Sequence, residues 1–143
     1  MSGELITVFG GSGFVGKYVV RNLCRKGYRI RVAVRNPHLA GDQRLAGDVG
    51  QVQIVQANVR NRPSIERALE GASGVVNLVG ILYEKGAQTF DGTQELGAKN
   101  VAELAAAAGI TNFVQMSAIG ASKDSNSSYA RTKAQAEADV KSY

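Results

Sequence analysis

Tyr129 and Lys133 stand four residues apart in Tyr129-Ala130-Arg131-Thr132-Lys133, so on a helix the phenol and the ammonium share one face. A lysine so placed favours the phenolate, and the tyrosine can then exchange a proton with a reacting group. A second grouping is Gly10-Gly11-Ser12-Gly13-Phe14-Val15-Gly16, with glycine at every third position. Gly10 lets the chain turn sharply, Gly13 lets backbone amides approach a phosphate, and Gly16 lets a following helix pack closely. The start of that helix offers unpaired N–H groups and a partial positive charge, which suit an anion. Arg35 is the third such residue, a planar guanidinium able to grip a phosphate with two hydrogen bonds.

These residues need elements to hold them. Short runs rich in Val and Ile, near Leu5-Phe9, Arg29-Val34, Gln53-Gln56, Gly74-Leu78 and Asn112-Met116, read as five buried strands. Between them lie segments of helical period, four or five in all. The first spans about Phe14 to Lys26, with Val15, Val19 and Leu23 on one face. A short one follows Pro63-Ser64, turning Ile65, Ala68 and Leu69 inward. The longest spans about Gly92 to Ala108 with Leu96, Val101, Leu104, Ala105 and Ala108, and the last begins near Ser127. The alternation predicts an α/β protein, a three-layer Rossmann fold whose parallel sheet has the order 3-2-1-4-5. A ligand is expected across the strand ends, at the switch between strands 1 and 3.

A strand running into the glycine turn and then a helix is the context of a dinucleotide-binding fingerprint; the alternative is a tight turn without ligand. At the end of the second strand, Asp or Glu would hold a free ribose hydroxyl, whereas this chain has Arg35. That favours NADP(H), held by Gly10, Ser12, Gly13, Phe14, Val15, Gly16, Arg35 and Asn36, with NAD(H) as the alternative and a solvent-facing arginine as the plainer reading of Arg35. Asn58-Val59, after the third strand, sits where an adenine edge would lie. Gly80, after Asn77-Leu78-Val79, would line the crevice beside the cofactor.

The 143 residues fit one domain with a sizeable core. No run of eighteen apolar residues is present, and the start from Met1 to Glu4 lacks the plan of a signal peptide, so a cytoplasmic protein without a transmembrane segment is expected. A single cysteine, Cys24, excludes an internal disulfide, and with a single histidine, His38, it excludes Cys/His metal clusters. Cys24 sits in an apolar stretch and is expected to be buried and inert; His38 is expected in a solvated loop. The net charge of +5 is skewed: up to Arg67 there are eleven Lys/Arg against four Asp/Glu, and beyond it six against eight. No zinc motif, basic heptad or Arg/Lys run interleaved with aromatics accompanies the skew, so nucleic acid is not the expected partner. A phosphate-rich cofactor or an acidic protein neighbour accounts for it.

The glycine turn, Gly80 and the Tyr129/Lys133 pair together make the whole chain resemble the short-chain dehydrogenase/reductase superfamily, in its extended and atypical branch. Four stretches carry a closer similarity: Val76-Asn77-Leu78-Val79-Gly80-Ile81-Leu82-Tyr83-Glu84, Thr89-Phe90, Gly97-Ala98-Lys99-Asn100-Val101-Ala102-Glu103, and Gln115-Met116-Ser117-Ala118-Ile119-Gly120-Ala121. They look like bacterial relatives of the nucleotide-binding accessory subunit of respiratory complex I, proteins often labelled NAD-dependent epimerase/dehydratase. The resemblance implies bound NADP(H), contacts from Tyr129 and Lys133, and partnership with complex I subunits at the cytoplasmic face of the inner membrane. It departs in two places. Extended members usually end the fifth strand in two hydroxyl residues, the second catalytic, where this chain has Ser117-Ala118; Ser117 serves only if the register shifts, and is otherwise a strand-end serine bonded to backbone. The last helix is still running at Tyr143, so residues 1–143 are expected to be a nucleotide-binding domain without its substrate lobe, with an exposed fifth strand that predicts marginal stability or self-association. Two readings follow: a bound nucleotide that stabilises an assembly module, or an oxidoreductase, epimerase or dehydratase acting on a sugar nucleotide or small carbonyl compound.

Overall fold

The computed structural model describes residues 3–80 and 89–143; Met1 and Ser2 at the start, and Ile81, Leu82, Tyr83 and Glu84 from the stretches quoted above, lie outside the described residues. Five parallel strands, β1 (Leu5–Phe9), β2 (Arg29–Val34), β3 (Val52–Gln56), β4 (Gly74–Asn77) and β5 (Asn112–Gln115), form one sheet of order β3-β2-β1-β4-β5. Ile6 of β1 is paired with Ile30 on one side and Gly74 on the other, so β1 is central. Both of its faces are covered, which is why the strand reads as a continuous apolar run rather than an alternating one. Val8 points into one core with Val20, Cys24, Ile30 and Val32. Phe9 points into the other with Ile65, Val75, Val101 and Leu104. Burying each such side chain contributes about 1.5–3 kcal/mol.

Helix α1 (Phe14–Arg25) and two 3-10 helices (Pro37–Leu39 and Gly41–Ala46) cover the first face. Helices α2 (Arg62–Leu69) and α3 (Gly97–Ala107) cover the second, and α4 (Ser128–Lys141) packs along α3 and the turn before it. The chain thus folds as the three-layer arrangement that the sequence pattern implies. In that strand order the chain direction across the sheet reverses between β1 and β4, not between strands 1 and 3: β1 pairs with β2 and β4 and never with β3. The crevice at the strand ends therefore lies between β1 and β4.

Two expectations about helix faces need correction. The buried face of α1 is Gly16, Val20 and Cys24, while Val15 is exposed and Val19 and Leu23 are only half-buried. The cause is local: a β-carbon on Gly16 would lie 2.4 Å from the Gly11 carbonyl oxygen, so the helix is seated on its glycine and rotated by one residue. The long third helix is not uniform. A π-helical turn (Phe90–Leu96) precedes α3, and a β-carbon on Gly97 would stand 2.6 Å from a Val59 methyl, so the backbone comes down on Val59 where the winding changes. Leu96, expected inside, is consequently 48% exposed. In α4, Thr132, Lys133 and Ala136 are buried, whereas Ala134, Ala138 and Val140 are half-buried.

The close seat of Gly16 gives a sharp contrast with Gly13, whose added β-carbon would meet nothing nearer than the Gly10 oxygen at 3.6 Å and whose φ of −75° suits any residue. Gly16→Ala should cost about 1–3 kcal/mol and lower the thermal midpoint by several degrees, while Gly13→Ala should leave it within about a degree; calorimetric melts of the two variants check this.

Candidate nucleotide site

At the end of β1 the chain turns at Gly10, with φ of 76°. Its amide donates to the Ala33 carbonyl at 3.1 Å, and a β-carbon there would press on the Leu78 carbonyl carbon and the Val79 nitrogen, each 3.1 Å away. The turn is thereby wedged between the ends of β2 and β4. Gly13 donates its amide to the Gly10 carbonyl at 3.3 Å and stands at the N-cap of α1 without a side-chain cap. The other capped starts differ. Asn61 accepts from the Ser64 amide ahead of α2, Thr89 from Gly92 ahead of the π-helical turn, and Ser127 from Ala130 ahead of α4. The first turn of α1 is thus left with N–H groups that nothing in its own sequence satisfies.

A crevice of about 330 Å³ opens beside this turn. Gly10, Ser12 and Gly13 form one wall, Ala33, Val34 and Arg35 continue it from β2, and Asn58 and Val59 close it from β3. Leu78, Val79 and Gly80 come from β4. Seven of the candidate residues thus share one cavity. Phe14, Val15, Gly16 and Asn36 do not line it: Gly16 is buried under the turn, and the other three are exposed around it. Asn58 is held firmly, since its backbone N–H donates to Ser64 Oγ at 3.0 Å and its Oδ1 accepts from the Arg60 amide at 3.0 Å. Its side-chain oxygen keeps one lone pair for a further donor.

One residue on the crevice wall escaped sequence reasoning, and the pairing made by another residue, Asn77, was not foreseen. Thr93, buried on the π-helical turn, lines the crevice, and no periodicity marks it because the turn is not α-helical. Asn77, fully buried at the end of β4, accepts the Val79 amide at 3.1 Å and donates to Gln115 Oε1 at 2.9 Å, fixing how β4 and β5 leave the sheet.

Tyr129, Lys133 and Ser117 lie outside the crevice wall. Tyr129 and Lys133 stand on α4, which packs against the π-helical turn beside the crevice. Tyr129 is half-buried one turn before Lys133, and Lys133 is only 4% exposed. Burial lowers the Lys133 ammonium below its ordinary pKa of 10.5. Among the described residues the Ser117 hydroxyl donates to the Glu137 carboxylate on α4 and not to backbone, the plainer of the two readings of this serine. Glu137 stands one turn beyond Lys133, a spacing legible in the sequence once Tyr129 and Lys133 are read as one face.

A buried lysine with lowered pKa makes stability depend on pH. Below the folded-state value both states bind the proton and the burial penalty is fully present. Between that value and 10.5 the unfolded chain holds more protons, so folded stability rises with pH. Lys133→Met should therefore be more stable than the parent chain at pH 7, and the gap should shrink as pH climbs toward 10.5; paired thermal melts across that range read it directly.

A family model described as NAD(P)H-binding matches residues 10–142 of the chain. The NADH-ubiquinone oxidoreductase 40 kDa subunit of Neurospora crassa is 30% identical over 142 residues, covering 99% of this chain and 38% of the relative. Subunit 9 of the NADH dehydrogenase [ubiquinone] 1 alpha subcomplex is 33% identical in Mus musculus, over 99% of this chain and 38% of the relative. The same subunit in Arabidopsis thaliana is 36% identical, over 98% and 35%. The chain therefore spans under two-fifths of the length of these mitochondrial relatives. Among solved structures, a protein described as an NAD-dependent epimerase/dehydratase from Bacillus halodurans superposes with a TM-score of 0.84 at 26% identity, over 97% of this chain and 65% of that one. A uronate dehydrogenase variant from Agrobacterium tumefaciens complexed with NAD shares the fold, with a TM-score of 0.77 at 20% identity over 96% of this chain and 54% of that one. With the glycine turn, the sheet order and the matched residues in agreement, the chain belongs to the NAD(P)H-binding family.

Proposed function

We propose that the crevice between β1 and β4 holds NADP(H) in preference to NAD(H), and that residues 1–143 serve as the nucleotide-binding domain of a protein acting in assembly. The observation that carries the first part is the conjunction of an uncapped α1 start with an exposed guanidinium, Arg35, on the same cavity wall. Pyrophosphate suits the amides from Gly13 onward, the backbone space over Gly13 admits close approach, and Arg35 suits a 2′-phosphate. Asn58 and Val59 suit the adenine edge, and Gly80 the passage of the cofactor along β4. Tyr129 and Lys133 suit the nicotinamide end, where Lys133 would hold the ribose and favour the Tyr129 phenolate. When bound, such a cofactor supplies hydride exchange at its nicotinamide.

For the second part, the relatives named as subunits of NADH-ubiquinone oxidoreductase and the occupied Ser117 favour a structural role. With Ala118 in the position of the usual second hydroxyl and Ser117 donating to Glu137, no hydroxyl at the end of β5 is left to polarise a substrate. The partner would be a respiratory complex at the cytoplasmic side of the inner membrane, with the nucleotide as a structural component. A ligand present at a thousandfold above its dissociation constant adds ~4 kcal/mol to stability. No helix among the described residues is long and apolar enough to cross a membrane. The second reading, a reductase, epimerase or dehydratase for a sugar nucleotide or small carbonyl compound, is favoured by the buried Lys133 one turn from Tyr129.

Calorimetric titration should give tighter binding of NADPH than of NADH. Arg35→Ala should weaken NADPH by about tenfold to a hundredfold, the worth of a hydrogen bond to a charged group, and leave NADH nearly unchanged; a preference for NADH in the parent chain would sink the assignment of Arg35. Tyr129→Phe should retain NADPH affinity within about twofold and leave the stabilisation by NADPH intact. A cofactor-dependent turnover that disappears in Tyr129→Phe would establish the enzymatic reading instead.

A further inference from the structure

Outside the crevice, α1 carries a pattern that neither the sheet nor the nucleotide site requires. Lys17, Arg21 and Arg25 recur at every fourth residue and so form one row on the helix. Residues 14–26 contain four bases and no acid, whereas Glu66, Glu103, Glu137 and Asp139 interrupt the bases of α2, α3 and α4. The row faces the second 3-10 helix, and Lys17, Arg21 and Arg25 share a surface groove with Asp42 and Leu45. Lys17 lies 3.7 Å from Asp42, with more than half of each side chain exposed, so solvent screens that pair and the other two charges are not offset by it. Tyr18 lies between, its ring 5.8 Å from the Arg21 guanidinium carbon and 5.5 Å from the ring of Phe14.

Large apolar side chains are also exposed on α1 and on the segment from Pro37 to Val49, part of which packs beside it. Phe14 is 80% exposed, Leu39 73%, Leu45 87% and Val49 101%. Single exposed apolar residues are ordinary, but several around one basic row mark a contact surface. We propose that this face, the outer side of α1 together with Leu39, Leu45 and Val49, docks on an anionic phospholipid surface. Phosphate headgroups meet the basic row, and the projecting apolar tips enter the headgroup layer beneath. A nucleic acid would use the bases but leave Leu39, Leu45 and Val49 in water. An acidic peptide lying in the groove would leave Phe14 and Val49 uncovered. Docking on this face is independent of which nucleotide the crevice takes, because Arg21, Arg25 and Leu45 do not line it.

The test is sedimentation of the whole chain with phosphatidylcholine vesicles, with and without phosphatidylserine. Binding should require phosphatidylserine and weaken as salt is raised. Each basic residue near such a surface is worth about fivefold in partitioning, so the double variant Arg21→Glu, Arg25→Glu should lose at least about twenty-five-fold. Leu45→Ser should lose about tenfold with the salt dependence unchanged. Thermal midpoints and NADPH titrations of the variants should match those of the parent chain, which separates loss of docking from loss of fold or of nucleotide binding. Equal sedimentation with and without phosphatidylserine, or undiminished binding by the charge-reversed variant, would overturn the proposal. So would absence of vesicle binding, whether or not the chain is captured by a polyribonucleotide or by an acidic peptide.

Discussion

The approach of Gly16 to Gly11 leaves no room for a β-carbon, and the seat of α1 on the sheet follows from that contact. With the helix lowered onto the turn, Val20 and Cys24 drop into the core against Val8 and Val32. The same geometry presents the start of α1, uncapped at Gly13, to the space beyond β1. Gly10 works in concert with it, because its positive φ and its tight contact with Leu78 and Val79 set the gap between β1 and β4. Packing on one side of the turn and an open, amide-lined crevice on the other are thus two results of a single backbone path. A side chain at either glycine would disturb both.

Most of the sheet was legible in the sequence because the central strands β1 and β4 are buried and appear as short apolar runs, while β2, β3 and β5 still carry enough Val, Ile and Phe between their polar residues to stand out. Leu5–Phe9 and Arg29–Val34 match the expected bounds, and the other three differ by one residue at an end. The helices were harder. The periodic apolar positions Val15, Val19 and Leu23 gave a plausible face for α1, yet the actual one is set by a glycine, which carries no hydrophobic signal. The π-helical turn was invisible for a related reason: it depends on a backbone contact between Gly97 and Val59, far apart in the chain, rather than on local preference.

At the site, motif and context agreed where the backbone itself is the functional element. Gly10, Ser12, Gly13, Arg35, Asn58, Val59 and Gly80 converge on one cavity because each ends a strand or follows one directly. The strand order puts the reversal at the β1/β4 gap rather than between strands 1 and 3, with the same residues on the crevice wall. What could not be read were polar pairings across elements. Nothing local announces that Glu137 takes the Ser117 hydroxyl, or that the Asn77 and Gln115 carboxamides join neighbouring strands. Such contacts arise only when the fold brings distant segments together.

Cys24 shows how the seat of α1 extends into behaviour over time. Its thiol lies in the core beneath the helix, and burial, followed by the nearby Asp48 carboxylate, pushes its pKa up, so the reactive thiolate is scarce in the folded state. A soluble thiol reagent reaches it when the layer over it opens, through movement of α1 or of the segment at Gly47, whose backbone comes close to the sulfur. With one cysteine in the chain, each labelled molecule records one such opening. Labelling rate then becomes a clock for local opening of this layer, distinct from the breathing of α3 and α4 on the opposite face.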